Sequence, residues 1–190
     1  KIRVHMQINF NRPYIAKNQF SYIQEAIQSR HISGDGNFTK KCNAFLEKEV
    51  GVPKALLTTS CTHALDMSAL LLGLQPGDEV VVSDFTFVST VNAFVLRGAK
   101  PIFCDIRADT LNMDEKQLEK LITPRTKAIY LVHYAGVSCE MDAIQACARE
   151  HQIPIVEDNA HGLFGKYRNR FLGTFGCMAT QSFHETKNFT

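Results

Sequence analysis

The feature that most constrains the fold is an alternation of short apolar runs with helical patterns along most of the chain. Six runs have the character of buried strands, and they cover residues 55–59, 79–82, 101–104, 128–132, 153–156 and 178–182. Continuous apolar strands that alternate with helices are typical of a mainly parallel sheet covered on both faces. Right-handed crossovers between such strands build a three-layer α/β/α sandwich, which is the predicted fold class.

Helical patterns occupy the segments before and between these runs. Apolar residues recur at helical spacing near 17–29, from 38 to a break at 51–53, and near 62–72, 87–96, 112–122 and 140–150. Asn112 and Glu115 have the spacing of a capping box and are expected to open the fifth of these helices. Pro76-Gly77-Asp78 has the composition of a turn.

Composition and charge restrict the class of protein. The chain has 190 residues, 45% of them hydrophobic and 21% charged, which predicts a soluble domain with one sizeable core. The net charge is +2 without long runs of one sign, so neither nucleic acid nor an anionic membrane is a favoured partner. No stretch has the length of a transmembrane helix, and no apolar region of signal-peptide length follows residues 1–5.

The cysteines form neither a Cys-x-x-Cys pair nor the spacing of a zinc site. They are Cys42, Cys61, Cys104, Cys139, Cys147 and Cys177. Several lie in apolar stretches, as buried free thiols do. Free thiols indicate a reducing compartment, so we expect a cytoplasmic protein and predict no metal site.

Open parallel sheets bind ligands at the carboxyl ends of their strands, and polar residues follow the predicted strands there. Ser60-Cys61-Thr62 comes after the 55–59 run and opens a helix. Free backbone N–H groups, the helix dipole and two hydroxyls could hold a phosphate at that point. An ordinary Ser or Thr helix cap is the alternative interpretation, and this stretch alone does not exclude it.

Three further stretches follow strands in the same way. Phe87 comes after the 79–82 strand and can stack on a planar ring, with simple core packing as the alternative. His133-Tyr134 either lines a pocket or forms a packed pair. Asp158 follows the 153–156 run, so its carboxylate is expected at the mouth of the sheet, where it could keep a pyridine nitrogen protonated. His161 lies on the same side if the segment turns helically, and a solvated loop acid is the alternative for Asp158.

The stretch from Ser182 to Asn188 contains one lysine, Lys187, among polar and aromatic neighbours. Taken alone, it has the composition of a charged loop after a strand. A lysine for a Schiff base, a carboxylate for a pyridinium nitrogen and a phosphate cradle are the three groups that pyridoxal 5'-phosphate (PLP) requires from a protein. Together with Asp158 and the stretch at 60–62, Lys187 therefore suggests a PLP site.

The order of these stretches resembles the DegT/DnrJ/EryC1/StrS family of PLP-dependent sugar aminotransferases from about Met6 to Thr190. The motifs that carry the resemblance are Gly34-Asp35-Gly36, Ser60-Cys61-Thr62, the run 76–80, the run 86–90, the run 133–136, Glu157-Asp158 and the run 182–188. Several motifs in register are specific, although each alone is weak. The fold implied is the large domain of the aspartate aminotransferase type, fold type I.

The resemblance also implies roles for individual residues. Lys187 would hold the cofactor as a Schiff base and move a proton between cofactor and substrate, and Asp158 would pair with the pyridine nitrogen. Phe87 would stack on the ring, with His161 near the ring hydroxyl. The residues implied at the phosphate are Ser60, Cys61, Thr62 and Ser182. The implied substrates are glutamate as amino donor and a nucleotide-linked 4-keto sugar as acceptor.

The sequence departs from the family pattern in two places. Asn159 and His161 vary a segment that often has two alanines, which affects the ring-hydroxyl contact. The family continues past the lysine with further strands and a small C-terminal domain, and its members are homodimers. Residues 1–190 are therefore expected to form most of the PLP-binding large domain and to be inactive alone. Two interpretations remain open: a fragment of an aminotransferase, and a truncated homologue that binds PLP or a partner without turnover.

Overall fold

The fold is described from a computed structural model, which covers residues 12–189. The expectation about residues 1–5 lies outside this range. Among the residues described, no helix is long and apolar enough to cross a membrane.

Six α-helices and seven strands make up the described chain. The helices are Gln19–Gln28 (α1), Asn37–Leu46 (α2), Cys61–Leu71 (α3), Val88–Val95 (α4), Glu115–Leu121 (α5) and Met141–Glu150 (α6). The strands are Glu79–Ser83 (β1), Lys100–Cys104 (β2), Thr126–Val132 (β3), Ile155–Asp158 (β4), Lys166–Tyr167 (β5), Arg170–Phe171 (β6) and Met178–Thr180 (β7). A π-helical turn, Glu47–Gly51, extends α2.

The main sheet has five parallel strands in the order β2-β1-β3-β4-β7. Its register places Asp158 of β4 level with Val132 of β3 and with Thr180 of β7. The carboxyl ends of three adjacent strands therefore meet at one edge of the sheet. We call this the carboxyl edge.

Side chains that alternate along the strands pack into two separate hydrophobic clusters, one on each face of the sheet. On one face, Ile129 and Ile155 pack with Leu118 of α5 and Ile144 of α6. On the other face, Tyr130 and Val156 belong to the cluster that contains these residues of α3 and α4: Leu65, Ala69, Ala93 and Phe94. Helices cover both faces of the parallel sheet, so the predicted three-layer α/β/α fold is confirmed.

The expected strand at 55–59 is wrong. The backbone N–H groups of Ala55 and Leu57 donate to the side chains of Glu47 and Asn43, and the segment belongs to no strand of the described residues. Leu56 is 65% exposed. An apolar run forms a strand only where a neighbouring strand supplies backbone partners, and those partners are lacking in the part of the chain that the structure describes.

Two smaller expectations also need correction. Asp114, and not Asn112, caps α5, because the Asp114 side chain accepts the Lys116 N–H. Asn112 is buried instead, where it donates to the Val137 carbonyl and accepts the Tyr134 N–H. The two-residue strands β5 and β6 pair antiparallel and were not expected, since runs so short leave no periodic pattern in the sequence.

Candidate active site

The carboxyl edge places a buried carboxylate at the end of β4. Asp158 is 3% exposed, so the alternative of a solvated loop acid does not hold. Its Oδ2 accepts the Thr90 hydroxyl at 2.7 Å, and its Oδ1 accepts the Ala160 N–H at 3.1 Å. A carboxylate has about four acceptor positions, so these two donors from the described residues leave about half of its capacity unused.

Lys187 reaches the same edge through the turn that follows β7. Its Nζ lies 2.9 Å from Nε2 of His161, and the other ring nitrogen, Nδ1, accepts the Ala135 N–H at 3.1 Å. Burial and the Lys187 charge lower the pKa of His161, and the Asp158 charge opposes them. The ring is therefore neutral at pH 7, and its Nδ1 carries no proton.

The contact between His161 and Lys187 fixes the position of the lysine. Because Nδ1 accepts the Ala135 N–H, the proton of the neutral ring resides on Nε2, the atom that faces Lys187 Nζ at 2.9 Å. The amino group of Lys187 is therefore held at the carboxyl edge, beside the ring of His161.

The thiol of Cys61, at the start of α3, lies close to these charged groups. Desolvation and the Asp158 charge raise the pKa of Cys61 to about 11, while the Lys187 charge and the Thr180 hydroxyl act in the opposite direction. The start of α3, the end of β4 and the turn at Lys187 therefore converge on one region. At neutral pH the thiol is protonated, so it adds no negative charge there.

The remaining predicted residues have different surroundings. Ser60 caps α3 by accepting the His63 N–H at 3.1 Å, which is the ordinary role left open above. Thr62 shares a 2.8 Å hydrogen bond with Ser89 of α4, and Ser182 is buried just after β7. Phe87 precedes α4 and is 70% exposed, so it is not a core residue of the described chain.

The first turn of α4 links the parts of the site, and reasoning from sequence gave it no role beyond Phe87. Ser89 bonds Thr62 of α3, and Thr90 bonds Asp158 of β4. Thr86 lies 2.8 Å from the Thr90 hydroxyl. Thr90 follows Phe87 by three residues, and this helical spacing was the available signal that both serve the same site.

A second buried carboxylate, Glu157, stands directly before Asp158. It accepts four hydrogen bonds, from His133 Nε2 at 2.9 Å and from the N–H groups of Gly173, Phe175 and Gly176 at 2.6–2.8 Å. Burial alone would raise the pKa of Glu157, but these donors outweigh it and hold the pKa below its ordinary value. His133 is thus buried beside Glu157 and does not line a pocket, whereas the ring of Tyr134 packs against Phe85 and His161.

The turn at 173–176 approaches β4 very closely. A Cβ atom placed on Gly176 would lie 2.4 Å from the carbonyl oxygen of Ile155. Real Cβ atoms do not come so near to a backbone oxygen, so this position admits glycine alone without a shift of the strand. The close approach is what brings the Gly176 N–H within reach of Glu157.

The chemistry of the carboxyl edge fits PLP. Asp158 offers unused acceptor positions to a protonated ring nitrogen, and Lys187 offers an amine. The first N–H groups of α3 have no preceding turn to bond, and a helix amino terminus that also carries the Thr62 hydroxyl suits a phosphate. The donors therefore match the three parts of the cofactor: ring nitrogen, aldehyde and phosphate.

Comparison with known proteins agrees with this chemistry. The chain matches the DegT/DnrJ/EryC1/StrS aminotransferase family over residues 13–190. It is 40% identical over 182 residues to the spore coat polysaccharide biosynthesis protein SpsC of Bacillus subtilis, covering 94% of this chain and 46% of SpsC. The chain spans about half the length of the curated relatives that it matches.

Solved structures share the fold at similar coverage. Spr1654 from Streptococcus pneumoniae in its PMP form superposes with a TM-score of 0.90 and 30% identity, over 97% of this chain and 50% of that one. A PLP form of Spr1654 is also similar. DesI in the presence of its TDP-sugar product gives a TM-score of 0.86 and 32% identity, over 93% of this chain and 44% of that one.

The match to the family covers nearly all of the described residues, and PLP as the cofactor of the family is confirmed. The apolar strands, the polar carboxyl edge and the lysine after β7 all lie within the matched range. By sequence, by fold and by the chemistry of its carboxyl edge, the chain belongs to the DegT/DnrJ/EryC1/StrS aminotransferase family.

Proposed function

We propose that this chain carries the cofactor-binding part of an aminotransferase that transfers an amino group from glutamate to a nucleotide-linked 4-keto-6-deoxysugar. The observation that carries the proposal is the grouping of Lys187, His161 and Asp158 at the carboxyl edge. When bound, PLP supplies an aldehyde that condenses with amines and a ring that withdraws electrons. The remainder of the chemistry belongs to side chains of the protein.

Asp158 fixes the charge state of the ring. A carboxylate beside the pyridine nitrogen favours its protonated form, because an opposite charge within a few ångströms stabilises the cation. The hydrogen bonds from Thr90 and Ala160 hold the carboxylate in place and leave acceptor capacity for that proton. Asp158 is therefore the residue that sustains the electron-withdrawing ring.

Lys187 has two tasks in the proposal. Its amine would hold the cofactor, and as a free amine it would move a proton at the substrate carbon. His161 accepts the Ala135 N–H and thereby keeps its Nε2 proton directed at Lys187. Thr62, Ser182 and the N–H groups at the start of α3 would bind the phosphate. Ser60 and Cys61 belong to the same helix start, as its cap and its first residue. Phe87 would cover the ring.

For the substrate, we propose dTDP-4-dehydro-6-deoxy-D-glucose. Runs in this chain are similar to dTDP-4-amino-4,6-dideoxygalactose transaminase of enterobacterial common antigen synthesis: residues 87–100, residues 139–142 and the His-Glu-Thr-Lys-Asn stretch at 184–188. The presence of a TDP-sugar product with DesI and the polysaccharide role of SpsC support a nucleotide sugar in general. Another amino-sugar transaminase with a different nucleotide sugar is the alternative. The full-length enzyme is proposed to be a cytoplasmic homodimer.

The decisive experiment uses the full-length protein and its Lys187→Ala variant. We expect borohydride reduction to attach the cofactor to the peptide containing Lys187 in the wild type, and we expect the variant to lose both this adduct and transamination. Lys166, exposed and placed on β5, gives a matched control, and Lys166→Ala should keep both. An adduct that maps to another lysine in the wild type would refute the assignment.

The substrate proposal is tested by a panel of nucleotide sugars with glutamate as the donor. Amination of the dTDP-linked 4-keto sugar in preference to its UDP- and GDP-linked counterparts supports the proposed substrate, and preference for another sugar replaces it. A second candidate function is a PLP-binding homologue without turnover. It is supported if the adduct forms at Lys187 and no sugar of the panel is aminated.

A further inference from the structure

A cluster of three potential metal ligands lies at the opposite end of the sheet from the candidate active site. Glu119 on α5 and His151 directly after α6 are joined by a 2.8 Å contact between Oε1 and Nε2. The Cys147 thiol donates to Oε2 of the same glutamate at 3.3 Å. His151 precedes β4, whereas Asp158 ends it, so the length of β4 separates the cluster from the carboxyl edge.

We propose that Glu119, Cys147 and His151 bind a zinc ion, with water in the fourth position. Their three donor atoms all lie within 4.8 Å of one another in the described residues. Tetrahedral zinc places thiolate sulfur at about 2.3 Å and imidazole nitrogen or carboxylate oxygen at about 2.0–2.2 Å. Donors bound at those lengths are roughly 3.3–3.7 Å apart, so side-chain rotations are enough to close the site.

The backbone beneath the ligands is held by the core. Cys147 and His151 are four residues apart, so they lie on one face at the end of α6. Leu118 and Ala148, next in sequence to two of the ligands, are buried in the same hydrophobic cluster. The two helices therefore present the ligands from fixed positions, and a bound ion would tie α5 to α6.

The ligand types select the kind of metal. One thiolate, one imidazole and one carboxylate form a borderline set that suits zinc better than magnesium or calcium, which prefer oxygen ligands. No short-range spacing in the sequence indicates this site, because Glu119 is 28 residues from Cys147 along the chain. The packing of α5 against α6 brings the ligands together instead.

Binding requires that the thiol lose its proton. Desolvation and the neighbouring carboxylates of Glu119 and Glu150 raise the pKa of Cys147 to about 11, so the thiol is protonated in the metal-free protein. The ion replaces that proton, which passes to solvent.

The test titrates metal-free full-length protein with zinc against a chromophoric chelator. We expect one equivalent to bind to the wild type and the affinity to fall at least about tenfold in Cys147→Ser, Glu119→Gln and His151→Asn. Cys42 is an exposed free thiol on α2, and Cys42→Ser is the matched control that should bind as the wild type does. Circular dichroism verifies that each variant is folded.

A second readout does not depend on activity or on the stability of the variants. Cobalt in place of zinc should give a thiolate charge-transfer band that Cys42→Ser keeps and Cys147→Ser loses, measured on protein freed of PLP to avoid overlapping absorbance. Failure of the wild type to take up zinc at micromolar concentrations overturns the proposal. Equal binding by the wild type and Cys147→Ser, or equal loss in Cys147→Ser and Cys42→Ser, overturns it as well.

Discussion

Two adjacent carboxylates on β4 face opposite sides of the sheet and have opposite surroundings. Glu157 points toward the face covered by α5 and α6, and Asp158 points toward the face covered by α3 and α4. Glu157 accepts four hydrogen bonds from one histidine and three backbone groups. Asp158 accepts two from the described residues, and one of these comes from α4, the helix that begins directly after Phe87.

The number of hydrogen-bond donors around each carboxylate distinguishes Glu157, which has a structural role, from Asp158, which can still bind a ligand. Both are almost fully buried, so exposure does not distinguish them. The count of donors does, because a carboxylate whose acceptor positions are filled has nothing left to offer a ligand, whereas a half-filled one does. Of the two, Glu157 anchors a turn and Asp158 retains capacity for a cation beside it.

The largest expected effect comes from Asp158→Asn in the full-length enzyme. The amide cannot hold a proton on the ring nitrogen by charge, so turnover should fall about a thousandfold, on the scale of removing a preorganised electrostatic partner. Melting temperature should change little, since the amide can still accept from Ala160 and donate to Thr90. Full-rate turnover by the Asn variant would contradict the assignment of Asp158 as the carboxylate that acts in the reaction.

The next effect in size is expected from Glu157→Gln, and it concerns stability. An amide nitrogen would face a backbone N–H of the 173–176 turn, and breaking a buried charged network of this kind costs about 3 kcal/mol. Thermal unfolding measures this loss. Turnover per folded molecule should remain within severalfold of the wild type. A large loss of turnover without a loss of stability would show that Glu157 has a catalytic role and not a structural one.

The stabilising role of Glu157 also predicts how the stability of the protein changes at acidic pH. The pKa of Glu157 in the folded state is below its ordinary value of 4.5, so its contribution to stability is present above that pH. The contribution should disappear as pH falls from 4.5 through the folded pKa. Melting temperature measured between pH 7 and pH 3 should therefore decline more steeply in the wild type than in Glu157→Gln. Parallel curves would contradict the assignment.

The smallest expected effect is that of Thr90→Val. The substitution keeps the shape and removes the hydroxyl that donates to Asp158, so turnover should fall roughly tenfold, the range for one hydrogen bond to a charged group. Ser89→Ala is the neighbouring control, because its hydroxyl bonds Thr62 and not Asp158. A smaller effect of Thr90→Val than of Ser89→Ala on turnover would show that Thr90 does not position the carboxylate.

Most of the fold could be predicted from the sequence, because the apolar pattern of most segments matches their burial in the structure. The strands around Val81, Ile129 and Val156 are apolar on both faces, and helices cover both faces of the sheet. The run at 55–59 has the same composition and forms no strand. Composition shows that a segment can be buried, but the partners that make it a strand lie elsewhere in the chain.

The candidate site was predictable in part for a similar reason. Asp158 ends β4, His161 comes shortly after it and Lys187 comes after β7, and the parallel topology brings such positions together. The roles proposed for them remain predictions. The hydrogen bonds of Thr90 and Glu157 depend on contacts across 68 and 16 to 24 residues, and no local pattern signals contacts of that range.

The close approach of Gly176 to Ile155 has a consequence for anyone who alters this protein. The turn that holds Glu157 looks like a surface loop and would be an attractive place to randomise in a library. A single methyl group at residue 176 would clash with the backbone of β4, so most variants of such a library would fail to fold.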